Sequence, residues 1–227
     1  MKPGEKFRNA IKNNNPLVIP GAINAYSAKL AERSGYNAIY LSGSGVAAAS
    51  YGLPDLGVTS LEDVLIDAKR ITDASELPLL VDIDTGWGDF DAVSNTIVEM
   101  EKAGVAAVHI EDQVFDKRCG HRPNKQIVSI SEMQDRLKAA VSAKNDESFF
   151  IMARTDALAS EGIDKAIERC EEYLKAGADG IFFEAAVSLD EYKEFKRNFS
   201  VPLLANITEF GKTPLYTQKD LSDVGVD

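Results

Sequence analysis

The 227-residue chain sets 36 acidic side chains against 25 basic ones, a formal net charge of -11, with 44% hydrophobic and 27% charged residues. This is an ordinary globular composition, too acidic for a nucleic-acid surface, and no apolar run approaches the ~20 residues that span a bilayer. Two cysteines make no disulfide framework, and Met1 to Lys6 leads into polar sequence and not into a signal-peptide core, so a reducing cytoplasm is the expected compartment.

Taken in chain order, short β-branched runs recur at 17–20, 38–42, 77–82, 107–112, 149–154, 181–184 and 201–206, which predicts seven strands. Helical periodicity lies between most of them, notably over 60–73, 91–103, 131–143 and 162–176. Three junctions repeat one design, in which a helix ends at Gly35, Gly104 or Gly177 and a buried strand follows within a few residues. Strict β-α alternation implies a parallel sheet. Seven such units favour a TIM-type (β/α)8 barrel in one domain, residues 1–227, over an open doubly wound sheet. Leu221-Ser222-Asp223-Val224-Gly225-Val226-Asp227 looks like the next helix-glycine-strand junction, so the eighth strand and C-terminal helices are expected to be missing from a C-terminally truncated barrel.

In a parallel barrel, chemistry collects at the C-terminal strand ends, and residues i and i+2 share a face. Asp82 and Asp84 form such a pair, and two carboxylates at that spacing suit a hard cation such as Mg2+. His109 and Glu111 follow on the fourth predicted strand, with Asp112 next. Arg154 and Asp156 close the fifth, Glu184 the sixth, Asn206 and Thr208 the seventh. Ser42-Gly43-Ser44-Gly45 offers backbone N–H groups to an anion. Asp84-Thr85-Gly86 matches the aspartic-protease triplet, but that chemistry needs two facing copies on β-rich lobes, and this chain has one copy.

The most reactive stretch is Lys117-Arg118-Cys119-Gly120-His121. Neighbouring cations favour a thiolate, Gly120 clears space beside the sulfur, and residues 117–125 hold four Lys/Arg and one His without an acid. A local cationic loop in an acidic protein suits a polyanionic small molecule; the plainer alternative is an exposed basic loop that happens to contain a cysteine. Cys170 is the contrast, since it shares a helical face with Ile167 and Leu174 and reads as a buried small hydrophobe. Two histidines leave a structural zinc site without support.

These motifs, with Val81-Asp82-Ile83-Asp84-Thr85-Gly86, His109-Ile110-Glu111-Asp112-Gln113, Ala153-Arg154-Thr155-Asp156-Ala157 and Asn206-Ile207-Thr208-Glu209-Phe210-Gly211, resemble the isocitrate lyase/phosphoenolpyruvate mutase superfamily, from about Phe7 to the last residue. The closest likeness is to the branch that splits a methylated isocitrate into pyruvate and succinate. The resemblance implies a metal held by Asp82, Asp84 and Glu111, Mg2+ with Mn2+ as its substitute. It implies Cys119 as catalytic acid, with Lys117, Arg118 and His121 tuning it, and Tyr40, Asp55 or a metal-bound water as base. Ser42, Gly43, Ser44, Gly120, Arg154, Glu184, Asn206, Ile207 and Thr208 would line a small tricarboxylate substrate. It further implies a homotetramer that exchanges a C-terminal helix between subunits. True isocitrate cleavage, or another carbon–carbon lyase of the superfamily, is the neighbouring reading. A non-catalytic fragment or binding scaffold is the reading from another class, and intact Asp82, Asp84 and Cys119 speak against it.

Overall fold

In the computed structural model, which describes residues 1–227, six parallel strands form one sheet in sequential order. They are β1 (Ile39–Leu41), β2 (Leu79–Asp82), β3 (Ala107–Glu111), β4 (Phe150–Thr155), β5 (Gly180–Phe183) and β6 (Leu203–Leu204). The helices are α1 (Pro3–Asn13), α2 (Ala25–Arg33), α3 (Gly43–Tyr51), α4 (Leu61–Ala74), α5 (Phe90–Lys102), α6 (Ile130–Ala143), α7 (Leu158–Glu161), α8 (Ile163–Lys175), α9 (Leu189–Asn198) and α10 (Gln218–Asp223). The predicted helices return as α4, α5, α6 and α8, within a residue or two at each end. Their starts are written in the sequence: Ser60, Asp89 and Ser129 cap α4, α5 and α6, each accepting a first-turn N–H.

The first predicted strand, 17–20, is not one. That segment lies beside β1 but is joined to it by a single parallel bridge, with the Tyr40 N–H donating to the Pro20 carbonyl and the Ala22 N–H to the Tyr40 carbonyl. Pro20 has no N–H to give, so the ladder cannot extend through it.

Strand alternation sorts the core into two layers. Outward residues such as Leu41, Val81, Val108, Ile151 and Ile181 pack against the helices. Inward residues Leu80, Ala107, Phe150, Met152 and Phe182 form a second cluster, and α1 closes it from below with Phe7 and Ala10. Tyr40 from β1 and Leu204 from β6 pack on this same inner cluster, so the sheet is curled into a partial TIM-type barrel with its first and last strands facing one interior. Gln218 on α10 donates to the Pro16 carbonyl, tying the late chain to the early chain across that gap. The polar residues of the inner face therefore gather at one end, where the strands stop.

Candidate active site

Three buried carboxylates stand at the barrel mouth. Asp82 ends β2, Glu111 ends β3, and Asp84 follows β2 in the left-handed backbone region at φ 46°. That conformation is uncommon for a non-glycine residue and turns the Asp84 side chain back to the mouth. Gly43 brings the start of α3 against them: its N–H donates to Asp82 Oδ2 at 3.2 Å, and a Cβ there would lie 3.3 Å from Asp82 Oδ2 and 3.4 Å from Asp84 Oδ1. Ser42-Gly43-Ser44-Gly45 is thus no free loop but the N-cap and first turn of α3, with Ser42 Oγ accepting from the Gly45 N–H.

Electrostatically these acids are under strain. Burial and the adjacent Asp82 carboxylate push Asp84 above its ordinary range, against the pull of Lys117. Burial likewise pushes Glu111 well up. Asp84 Oδ1 and Glu111 Oε2 are buried with a single cation each, Lys117 Nζ at 2.6 Å and Arg154 Nη1 at 3.2 Å, and Glu111 Oε1 is buried without a hydrogen-bond donor. Crowded buried carboxylates are the hard oxygen donors that a divalent cation of the Mg2+ type takes, so Asp82, Asp84 and Glu111 are the residues that could hold such an ion, with Lys117 occupying Asp84 in this arrangement. Beside them the Tyr40 hydroxyl and His109 Nε2 are 3.0 Å apart. Burial draws His109 down to about 4, so its imidazole is neutral and its 3.7 Å approach to Asp82 is not an ion pair.

The cysteine-bearing loop after β3 is folded down over this mouth. Lys117 Nζ sits 2.6 Å from both Asp55 Oδ1 and Asp84 Oδ1. Gly120 is seated on Glu184 and Arg154 so closely that any Cβ would overlap both side chains. His121 Nδ1 accepts from the Lys212 N–H at 3.0 Å, which leaves the proton on Nε2, 3.2 Å from Glu184 Oε1. Asn206 Nδ2 donates to Glu184 Oε2 at 3.5 Å. Arg154 spans Asp156, with Nε to Oδ2 at 2.9 Å, and Glu111, with Nη1 to Oε2 at 3.2 Å, while its guanidinium lies over the Phe182 ring.

The fold therefore brings Tyr40, Ser42, Gly43, Asp55, Asp82, Asp84, Glu111, Lys117, Gly120, His121, Arg154, Glu184 and Asn206 together. Ile207 instead packs on the outer apolar core, as alternation after the inward Asn206 requires. Thr208 sits beside Gly211 on the turn that holds His121, and Ser44 is half-buried in α3. One expectation is corrected. The cations around Cys119 do not set the balance at its thiol; burial raises it, with Asp55 and Glu184 adding to the rise and the His121 N–H and the Arg154 charge opposing it. Lys117, the nearest cation in the sequence, is turned to Asp55 and Asp84. Cys119 is half-buried and holds its proton, and Cys170 is fully buried, as its helical face requires. Lys125 and Asp156 join this site with their side chains buried beside Gly120 and Arg154; in the sequence, the lysine's place in the basic stretch and the place of Asp156 at a strand end are the signals.

A cavity of about 480 Å3 on the same loop is lined by Val114, Phe115, Asp116, Arg118, Asn124 and Gln126, none of them a mouth residue.

The family model for phosphoenolpyruvate phosphomutase matches residues 7–227. The chain belongs to that family. Among curated relatives, 2-methylisocitrate lyase of Shewanella oneidensis is 60% identical over 224 residues, covering 99% of this chain and 77% of that protein. The Escherichia coli protein of the same name is 59% identical, covering 99% and 76%. Among solved structures, oxaloacetate acetylhydrolase with 3,3-difluorooxalacetate superposes at a TM-score of 0.94 with 35% identity, over 99% of this chain and 78% of that one. A phosphonopyruvate hydrolase complex with oxalate and Mg++ gives 0.84 with 31% identity, over 99% and 77%. With relatives so named at this identity, this family member is an enzyme, a lyase acting on a small molecule. No helix is long and apolar enough to cross a membrane.

Proposed function

We propose that this family member cleaves 2-methylisocitrate to pyruvate and succinate in the cytoplasm, the lyase step of propionate catabolism through the methylcitrate cycle. The observation that carries the reading is the 59–60% identity to two relatives of that name over 99% of the chain. Asp82, Asp84 and Glu111 would hold Mg2+, which when bound supplies Lewis-acid stabilisation for the substrate oxygen that becomes a ketone. Arg154 is the cation that would meet a substrate carboxylate, and the Ser42 and Ser44 hydroxyls at the start of α3 would line another, the Gly43 and Gly45 N–H groups being taken by Asp82 and Ser42.

The chemistry is a retro-aldol type cleavage. The substrate's hydroxyl proton leaves to a base, and the electrons of that O–H bond become the new carbonyl of pyruvate. The bond between the carbinol carbon and its neighbour breaks, and its electron pair stays on the succinate half. Cys119 delivers its thiol proton to that carbon, and its thiolate is reset from solvent when the loop opens. A thiol kept protonated by burial suits a proton donor better than a nucleophile. Burial keeps the Tyr40 phenol protonated as well, so we assign the base to Asp55, which shares Lys117 with Asp84. Glu184, oriented by His121 and Asn206, would position the leaving half. The family likeness supports assembly of barrel domains into a homotetramer, which light scattering measures directly.

Pyruvate release from 2-methylisocitrate, followed continuously with and without EDTA, tests the reading. Turnover that stops with EDTA and returns with Mg2+ is expected. Absence of Mg2+-dependent pyruvate release would overturn it.

A further inference from the structure

Lys125 lies five residues past Gly120 on the cysteine-bearing loop, and its ammonium is almost fully buried, with a side chain 3% exposed. A buried ammonium costs several kcal/mol unless paired and hydrogen-bonded, and here both conditions are met by two well-separated parts of the chain. Its Nζ donates to the Gly120 carbonyl at 2.6 Å and to Asp156 Oδ1 at 2.6 Å. The first bond folds the loop's tip onto itself. The second ties that tip to the segment just after β4.

Asp156 is a fixed post. Its N–H donates to Asp112 Oδ1 at 2.8 Å, and Asp112 is in turn held by Thr155 Oγ1 and the Tyr173 hydroxyl. Its other carboxylate oxygen is already occupied by Arg154 Nε. When the loop lifts, Lys125 leaves, yet Asp156 keeps Arg154 and is not stranded as an unpaired buried charge. The contact is therefore strong enough to hold and cheap enough to release.

We infer that Lys125 is a positioning residue whose bridge from the Gly120 carbonyl to Asp156 latches the cysteine-bearing loop closed and so sets Cys119 over the site. The inference rests on the lyase reading for its purpose, though its test needs no substrate. In closing, Lys125 also shares the Asp156 charge that Arg154 otherwise neutralises alone, which turns more of the guanidinium toward Glu111 and an incoming carboxylate.

The test is alkylation of Cys119 by iodoacetamide in the native protein, Lys125→Met, Lys125→Arg and Asp156→Asn. The chain has two cysteines and Cys170 is fully buried, so one reacting thiol per chain reports Cys119 alone and certifies the fold. Loss of a charge-assisted latch is expected to speed alkylation of Lys125→Met about tenfold, with Lys125→Arg within about twofold of native. The sign is diagnostic: removing a nearby cation without opening the loop makes the thiolate less favourable and slows the reaction. A Lys125→Met rate at or below native, with one thiol reacting, overturns the latch. Should both thiols react, that variant has unfolded, and Asp156→Asn, which retains one acceptor oxygen for Arg154, decides on the same criterion. Turnover is read separately: a native protein that releases no pyruvate counts against the substrate reading and leaves the alkylation ratio standing.

Discussion

At the residue scale, the proposed chemistry turns on a thiol that keeps its proton. Burial raises Cys119 above the ordinary thiol range, so an acid at this position stays loaded through neutral pH and is lost only on the alkaline side. The turnover profile is expected to fall only on the alkaline side of the ordinary thiol range, since a thiol acid fails only as it ionises. A descending limb near neutrality, measured as kcat against pH, would point to a different acid. Much of this site was legible from alternation alone. Asp82, His109 with Glu111, and Arg154 lie on inward strand faces, and periodicity of two finds them. Asp84 reaches the mouth by another route, a left-handed turn after β2 that no alternation rule encodes. The commitment of Lys117 to Asp55 and Asp84 was hidden because Asp55 lies 62 residues earlier in the chain. Charge counted along the sequence therefore gave the thiol's shift the wrong sign.

At the element scale, the cysteine-bearing loop hangs from a neck that two outer helices clamp. Arg136 on α6 donates to the Glu111 and Gln113 carbonyls at the loop's entry, and Arg169 on α8 donates to the Val128 carbonyl at its exit. Between them the Val114 N–H donates to the Gln126 carbonyl and the Val128 N–H to the Asp112 carbonyl. Arg169 is itself held by a paired contact to Glu161, at 2.7 and 2.9 Å. The Arg169 hydrogen bonds pull Glu161 below its ordinary value. A carboxylate depressed in the folded state stabilises the fold above its unfolded pKa, and that stability is lost as pH falls through the folded value. Urea unfolding should therefore find Glu161→Gln less stable than native at pH 7, with the gap closing on acidification. A gap that stays constant or widens toward low pH would contradict the pairing. The helices themselves were legible, since capping side chains and apolar periodicity coincide in α4, α5 and α6. The segment 17–20 was not, because its apolar run satisfies a strand pattern while Pro20 withholds the donor that pairing needs.

At the scale of the whole molecule, the partial barrel has a floor and a mouth that serve different ends. Phe7 on α1 is fully buried, in edge contact with Phe150 at 5.4 Å between ring centroids. Phe7→Ala is expected to cost about 3–4 kcal/mol of stability and to leave turnover per folded molecule unchanged, because the floor is separated from the mouth by the layer of Met152 and Phe182. A matching loss of kcat, measured where the variant is fully folded, would show that floor and mouth are coupled. The repeated helix-glycine-strand junctions made this architecture readable from the chain. What they could not convey is closure, since the seating of Gly120 on Glu184 and Arg154 depends on contacts between segments far apart in sequence. The proposed cleavage depends on Cys119 as the proton donor over a carboxylate-lined mouth. Steady-state kinetics of Cys119→Ser on 2-methylisocitrate with Mg2+ test it most directly. A kcat reduced by about 10²–10⁴ with KM little changed is expected of a lost general acid, whereas native turnover in that variant would contradict it.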